Sequence, residues 1–420
     1  MARLPGAQTS TARGCPGGVM KNIVLCADGT WNGPTEEDPA GVDTPSNVQL
    51  LFQGLAGSLT TPVGPEMERR LESPADGGGP AQVAKYIHGI GDTHDEMARV
   101  LEGDFGIGLV HRVVRGYTYI SRNYAPGDCI YIVGFSRGAY TARALAGLIA
   151  AQGLLDWQGL GLDPQHSDER AYAIAMQAWV DYRRSTDTGD LGNDLDSFWH
   201  DAKDRLGDLL RPVPLPRYVA DVPIEAVGVW DTVGALGIPV GEDSGRRVDL
   251  YAFANRDLSE RVAHGLQALA IDEQRIDFTP TLWEPRSNVV QVLFPGAHAD
   301  VGGGYPPHEC GLSNGALRWM ADRLARIGLR FATDHWPGAD AKGLEHRPWL
   351  NSLRPCGPRS FPAGFELAGT CVAKLAAPQV PMAAASAGTP PILAPYRPAN
   401  LLPRYLEPTS WAVRPGVVVA

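Results

Sequence analysis

The stretch "IYIVGFSRGAYTARALAGLIA", residues 130–150, narrows the fold more than any other part of this chain. An apolar run of strand character ends in Gly134-Phe135-Ser136-Arg137-Gly138 and passes at once into a helical pattern built from small residues. Glycine two positions before and two after a serine is what a strand needs when it turns into a helix so sharply that larger side chains would strike neighbouring backbone. Gly138, Ala139, Ala142 and Ala144 then let the helix begin close to a sheet. A bare Gly-x-Ser-x-Gly also arises as a polar turn. The strand, turn, helix context favours a nucleophile, because the helix N-terminus aims its positive dipole end at the Ser136 oxygen.

Further near-continuous apolar runs end in turn residues at 23–30, 84–92, 224–232 and 289–298. Such strands suit a sheet covered on both faces. Helical periodicity at 105–124, and a second helix that Ser313 is placed to cap and that runs through Leu317, Met320, Leu324 and Ile327, fill the gaps. Alternating strands and helices predict an α/β fold with a mainly parallel central sheet flanked by helices. Residues 1–20, rich in Gly, Pro, Ser and Thr, read as a disordered extension and 21–360 as the α/β domain. Within it, 155–223 shows two amphipathic patterns and no convincing strand, a helical cap or lid whose Trp157, Trp179, Phe198 and Trp199 line an acyl pocket or form the cap's own core. The Ala- and Pro-rich segment 361–420 favours an extended tail wrapping the core.

A formal charge of −10 gives no electrostatic footprint for nucleic acid. No run of 18 apolar residues is present, so no transmembrane segment is expected, and the first residues lack the apolar core of a signal peptide. The 6 cysteines, at 15, 26, 129, 310, 356 and 371, show no Cys-x-x-Cys spacing. Cys26 and Cys129 read as small buried hydrophobes in a reducing compartment, while a bridge from Cys356 to Cys310 or Cys371 stays open.

A nucleophilic serine needs a base and a group that orients the base. Asp231 follows the apolar run of "AVGVWDT" and His298 follows that of "VLFPGAH", in the order serine, acid, histidine. His298 is therefore the expected general base and Asp231 the acid, with Asp300 in reserve. Two backbone amides should hold the oxyanion: that of Arg137 and one from Gly29 or Thr30 in "ADGTWNG". Asp28 in that loop fits a structural Asx-type bond. A metal held by Asp28, Asp231, His298 and Asp300 is the rival chemistry, and a non-catalytic member of the fold is a further one. An aspartyl-phosphate mechanism lacks its nucleophile, because Cys26 stands where that signature has its first aspartate.

With Asp-Gly-Thr-Trp-Asn, Gly-Phe-Ser-Arg-Gly-Ala-Tyr, Trp-Asp-Thr-Val-Gly and "PGAHADVGGGY" in this order, the chain resembles a bacterial and fungal α/β-hydrolase family that includes the type VI secretion phospholipase effectors. The resemblance implies a serine hydrolase of acyl esters, an esterase, lipase or phospholipase, with Ser136, His298 and Asp231 as its triad and no cofactor. It implies an ester or lipid substrate. For an effector it also implies an immunity protein or a secretion apparatus as partner, and the expected location is cytoplasmic or exported without a signal peptide.

Overall fold

A computed structural model describes residues 20–29, 44–73, 79–89, 105–163, 168–186, 215–233, 238–239, 247–248, 257–332, 336–352, 355–385 and 388–420. The expected extension 1–20 lies, save for Met20, outside the described residues, as do Thr30, Phe198 and Trp199.

Among the described residues nine strands form the main sheet: β1 Asn22–Ala27, β2 Ser58–Leu59, β3 Glu66–Glu72, β4 Pro80–Ile87, β5 Cys129–Phe135, β6 Ile224–Trp230, β7 Val262–Ala270, β8 Val289–Phe294 and β9 Glu366–Leu367. Their order is β9-β8-β7-β6-β5-β1-β4-β3-β2. Every neighbouring pair from β9 to β4 is parallel, and only β3 and β2 pair antiparallel at one edge. The architecture is α/β with a mainly parallel sheet. Strand order reverses between β1 and β5, and in open α/β sheets the crevice at such a reversal, beyond the strands' C-terminal ends, is where ligands bind.

Alternation along the strands divides the core in two. Ile23 and Leu25 face the layer made by α2 Phe105–Asn123, α3 Ser136–Gln152 and α4 Asp168–Thr186, while Val24 and Cys26 face α1 Asn47–Gly54 and α6 Gly311–Arg326. A short helix, α5 His298–Gly302, sits at the end of β8.

Three expectations change here. Strand β7 is an additional strand between those bearing Asp231 and His298; its His264, Gly265 and Gln267 interrupt the apolar run that marks the others. The second predicted helix, α6, starts at Gly311 with Cys310 as its N-cap, so Ser313 lies inside the first turn and donates to the Cys310 carbonyl at 3.1 Å. The segment after 360 is a core element as well as a wrap, because it adds β9, a helix at Gly369–Ala376 and buried Phe361, Phe365, Tyr396, Tyr405 and Leu406. Aromatic anchors outweigh its Ala- and Pro-rich composition.

The described part of 155–223 packs against α2 and α3. Its short antiparallel pair, Leu154–Leu155 with Tyr218–Val219, adjoins the C-terminal end of α3, a helix about 25 Å long at 1.5 Å per residue, whose other end carries Ser136. Trp157 and Trp179 are 7% and 1% exposed within that layer, so they serve as core. No disulfide joins Cys26, Cys129, Cys310, Cys356 and Cys371.

The sharp turn after β5 rests on two glycines. A Cβ on Gly134 would lie 2.4 Å from the Gly138 carbonyl oxygen, and one on Gly138 would lie 2.2 Å from the Ala27 oxygen and 2.4 Å from that of Asp28. Those neighbours are backbone and cannot step aside. Gly138→Ala should therefore destabilise the fold by about 2–4 kcal/mol, read from urea unfolding, and a variant with the wild-type midpoint and slope would contradict this packing.

Candidate active site

Ser136, Asp231 and His298 meet at the C-terminal ends of the sheet. The His298 Nε2 lies 2.8 Å from the Ser136 Oγ, and its Nδ1 lies 2.5 Å from the Asp231 Oδ2. Because an ionised carboxylate only accepts, Nδ1 carries the hydrogen in the neutral ring and Nε2 is left to accept from the serine hydroxyl. All three residues are buried, with Ser136 and His298 each 6% exposed.

Local backbone sets this geometry. Ser136 has φ +56 and Asp231 has φ +39, conformations that L residues with side chains adopt at a cost of about 1–3 kcal/mol. Ser136 opens α3, so its oxygen faces the helix N-terminus. The loop after β8 is held by carboxylates at three successive amides. Gly296 N–H donates to Asp272 at 2.7 Å, Ala297 N–H to Asp300 at 2.9 Å and His298 N–H to Glu273 at 3.2 Å. Phe135 packs on the imidazole with ring centroids 4.6 Å apart, and Phe278 meets it edge-on at 4.9 Å.

The electrostatics follow from burial and partners. Burial would raise the Asp231 carboxyl, but Arg359 and the hydrogen bond from His298 hold it well below the usual carboxylate range. For His298, burial pushes the imidazole below its ordinary value despite the opposing pull of Asp231 and Glu273. Burial drives Arg137 down to about 9, with Arg112 adding repulsion.

Not every residue expected at the site is oriented as anticipated. The Gly29 amide donates to its own Asp28 carboxylate at 2.7 Å, so it is committed elsewhere than to an oxyanion. Asp28 is a structural anchor, as its neighbourhood suggested: it also accepts from Ser46 and Tyr86, each at 2.6 Å. Asp300, the reserve acid, turns to His346, whose Nδ1 lies 2.7 Å away and whose backbone N–H donates at 3.0 Å, instead of to the His298 ring. Asp28 and Asp300 are thus engaged apart from Asp231 and His298. Among the described residues no group of three or more His, Cys, Asp or Glu side chains is gathered to hold a metal.

Sequence reading missed Arg359, Glu273 and Asp272. Arg359 in "PCGPRSFP" follows no strand and carries no local signal. Asp272 and Glu273 follow β7 directly, and recognising that strand would have marked them as strand-end residues.

Residues 21–323 match the model of the type VI secretion phospholipase effector Tle1-like catalytic domain. The chain belongs to that family. An uncharacterised protein of Saccharomyces cerevisiae, YEL023C, is 25% identical over 284 residues, which are 63% of this chain and 34% of that relative. An uncharacterised protein from Pseudomonas aeruginosa has a solved structure with 19% identity and a TM-score of 0.37 over 76% of this chain and 48% of the other. A solved structure of the Tle1 effector bound to the VgrG spike of the type VI secretion system has 19% identity and a TM-score of 0.36, over 73% of this chain and 57% of that one. The chain thus spans from about a third to just over half of these relatives' lengths. Within this Tle1-like chain, no helix among the described residues is long and apolar enough to cross a membrane.

The depressed imidazole has a direct readout in this Tle1-like protein. In an NMR titration of the His298 ring protons, the midpoint should fall below 6.5, the ordinary histidine value. Because the folded state then holds fewer protons than the unfolded chain, His298 lowers folding stability as pH drops from about 6.5 through its folded value. A midpoint at or above 6.5 would contradict the burial argument.

Proposed function

We propose that this chain hydrolyses carboxylic esters, with acyl esters of phospholipids as its substrate class, through a serine acyl-enzyme. The observation that carries the reading is the unbroken chain Ser136 Oγ, His298 Nε2, His298 Nδ1, Asp231 Oδ2, with contacts of 2.8 and 2.5 Å, on a family catalytic domain. Neutral His298 takes the Ser136 proton as Oγ attacks the ester carbonyl carbon. Asp231 stays ionised and stabilises the resulting imidazolium. The tetrahedral oxyanion is held by the Arg137 amide in the first turn of α3, at the positive end of the helix.

Collapse of that intermediate breaks the bond to the leaving alkoxide, which receives the proton from His298 Nε2. Water then gives a proton to His298 and its oxygen attacks the acyl carbon, releasing the fatty acid and restoring Ser136. Phospholipid is the substrate class that fits the family, and a type VI secretion apparatus is the matching partner, with export without a signal peptide as the matching location. The Tle1 effector of the solved complex is itself bound to a secretion spike.

Fatty-acid release from phospholipid vesicles and from soluble p-nitrophenyl esters of graded length tests this reading. Ser136→Ala should lose at least about 10³-fold in kcat, and Asp231→Asn about 10²–10⁴-fold. Retention of wild-type turnover by Ser136→Ala would overturn the serine mechanism. Hydrolysis of soluble esters with none of vesicles would remove phospholipid as the substrate class.

A further inference from the structure

Arg359 reaches the site from a part of the chain beyond residues 21–323, the span of the family catalytic domain. Its Nη1 donates to Asp231 Oδ1 at 2.7 Å and its Nη2 to Oδ2 at 2.9 Å, a fork laid on both oxygens. The same nitrogens bind the carbonyls of Ala270, at 2.8 Å, and Phe278. The Asp231 carboxylate is thereby fully enclosed. Oδ1 also accepts from the Ala270 N–H at 2.9 Å, and Oδ2 faces His298.

The guanidinium is delivered by backbone, not by a loose side chain. Gly357 N–H donates to the Gln274 carbonyl at 2.7 Å, Ile276 N–H to that of Pro355 at 3.3 Å, and Phe361 is 1% exposed in the core two residues further on. These contacts staple the segment to the 274–278 stretch whose Phe278 ring touches His298. A carboxylate buried to 0% exposure cannot stay ionised without such a partner. Of the charged and polar groups around it, Arg359 is the cation that contacts both oxygens.

We propose that Arg359 is a positioning residue for acyl transfer: it keeps Asp231 ionised and turned so that Oδ2 meets His298 Nδ1, which makes the segment after the family domain part of the active site. This rests on the serine-hydrolase reading above. A tether that merely fastened the C-terminal segment would affect folding and leave proton affinities at the site alone, and this difference provides the test.

Kinetics of Arg359→Met and Arg359→Lys are compared with Tyr405→Phe, which removes the hydroxyl that accepts from Phe365 N–H and donates to Pro362 in the same segment without touching the site. Folded Arg359→Met should lose about 10²–10³-fold in kcat with KM within about threefold, and methylguanidinium should restore part of it. Removing the cation lets Asp231 and His298 protonate more readily, so the acid limb of kcat/KM should move to higher pH. The His298 NMR titration should move the same way, a readout that needs no assumption about the reaction. Tyr405→Phe should keep the wild-type kcat and limb. Should Arg359→Met not fold, Arg359→Lys decides: it keeps the charge but cannot span both oxygens, and at least a tenfold loss of kcat is expected. A folded Arg359→Met with wild-type kcat and an unmoved limb, a loss matched by Tyr405→Phe with no shift of His298, or wild-type kcat in Arg359→Lys, would overturn the proposal. Wild-type turnover by Ser136→Ala would instead overturn the reading it rests on.

Discussion

The rest of the structure depends on the approach of helix α3 to strand β1, where Gly138 comes against the carbonyls of Ala27 and Asp28 with no room for a Cβ. That approach fixes where α3 begins, forces Ser136 to φ +56 and turns its hydroxyl out of the sheet. Phe135 pays out the same constraint on the other side of the turn. A Cβ on Gly302 would lie 1.9 Å from the Phe135 ring and one on Gly29 would lie 3.1 Å from it, so a glycine at the end of α5 and one after β1 close around one side chain. The ring then supports His298 from below. Ser136 and His298 are thus referenced to the same few ångströms of close-packed backbone.

Two fully buried aspartates show how neighbours, not burial, decide charge. Asp28 accepts from Ser46, Tyr86 and Gly29, all neutral donors, and burial still raises its carboxyl above the ordinary value. The Arg112 guanidinium beside it binds the Asp28 backbone carbonyl, not the carboxylate. Asp231 faces as much burial but carries the Arg359 fork on both oxygens, and its carboxyl falls far below the usual range. In the proposed mechanism the group that stabilises the imidazolium has to be an anion, and the Arg359 cation behind Asp231 keeps it one.

Much of this was legible in the sequence because the relevant residues sit at ends of apolar runs. The runs before Ser136 and Asp231 mark β5 and β6, and the glycine spacing marks the turn. What stayed hidden has physical reasons. Strand β7 is broken by His264, Gly265 and Gln267, of which Gln267 is buried and hydrogen-bonded to the Thr281 carbonyl at 3.0 Å, so polarity there reflects a satisfied interior contact and not solvent. With β7 unseen, Asp272 and Glu273 read as loop acids, although they hold the amides beneath His298. Arg359 acts 128 residues away from Asp231, a pairing that only the folded chain brings together. The C-terminal segment looked like a wrap because Ala and Pro dominate its composition, while a few aromatic anchors decide its packing.

The central claim is that Ser136 is the nucleophile, and the most direct measurement is peptide mapping by mass spectrometry after treatment with a fluorophosphonate. The account predicts one adduct per chain, on Ser136, with labelling abolished in Ser136→Ala and strongly slowed in Asp231→Asn. Folded wild-type protein that takes no adduct, or Ser136→Ala labelled as readily as wild type, would contradict it.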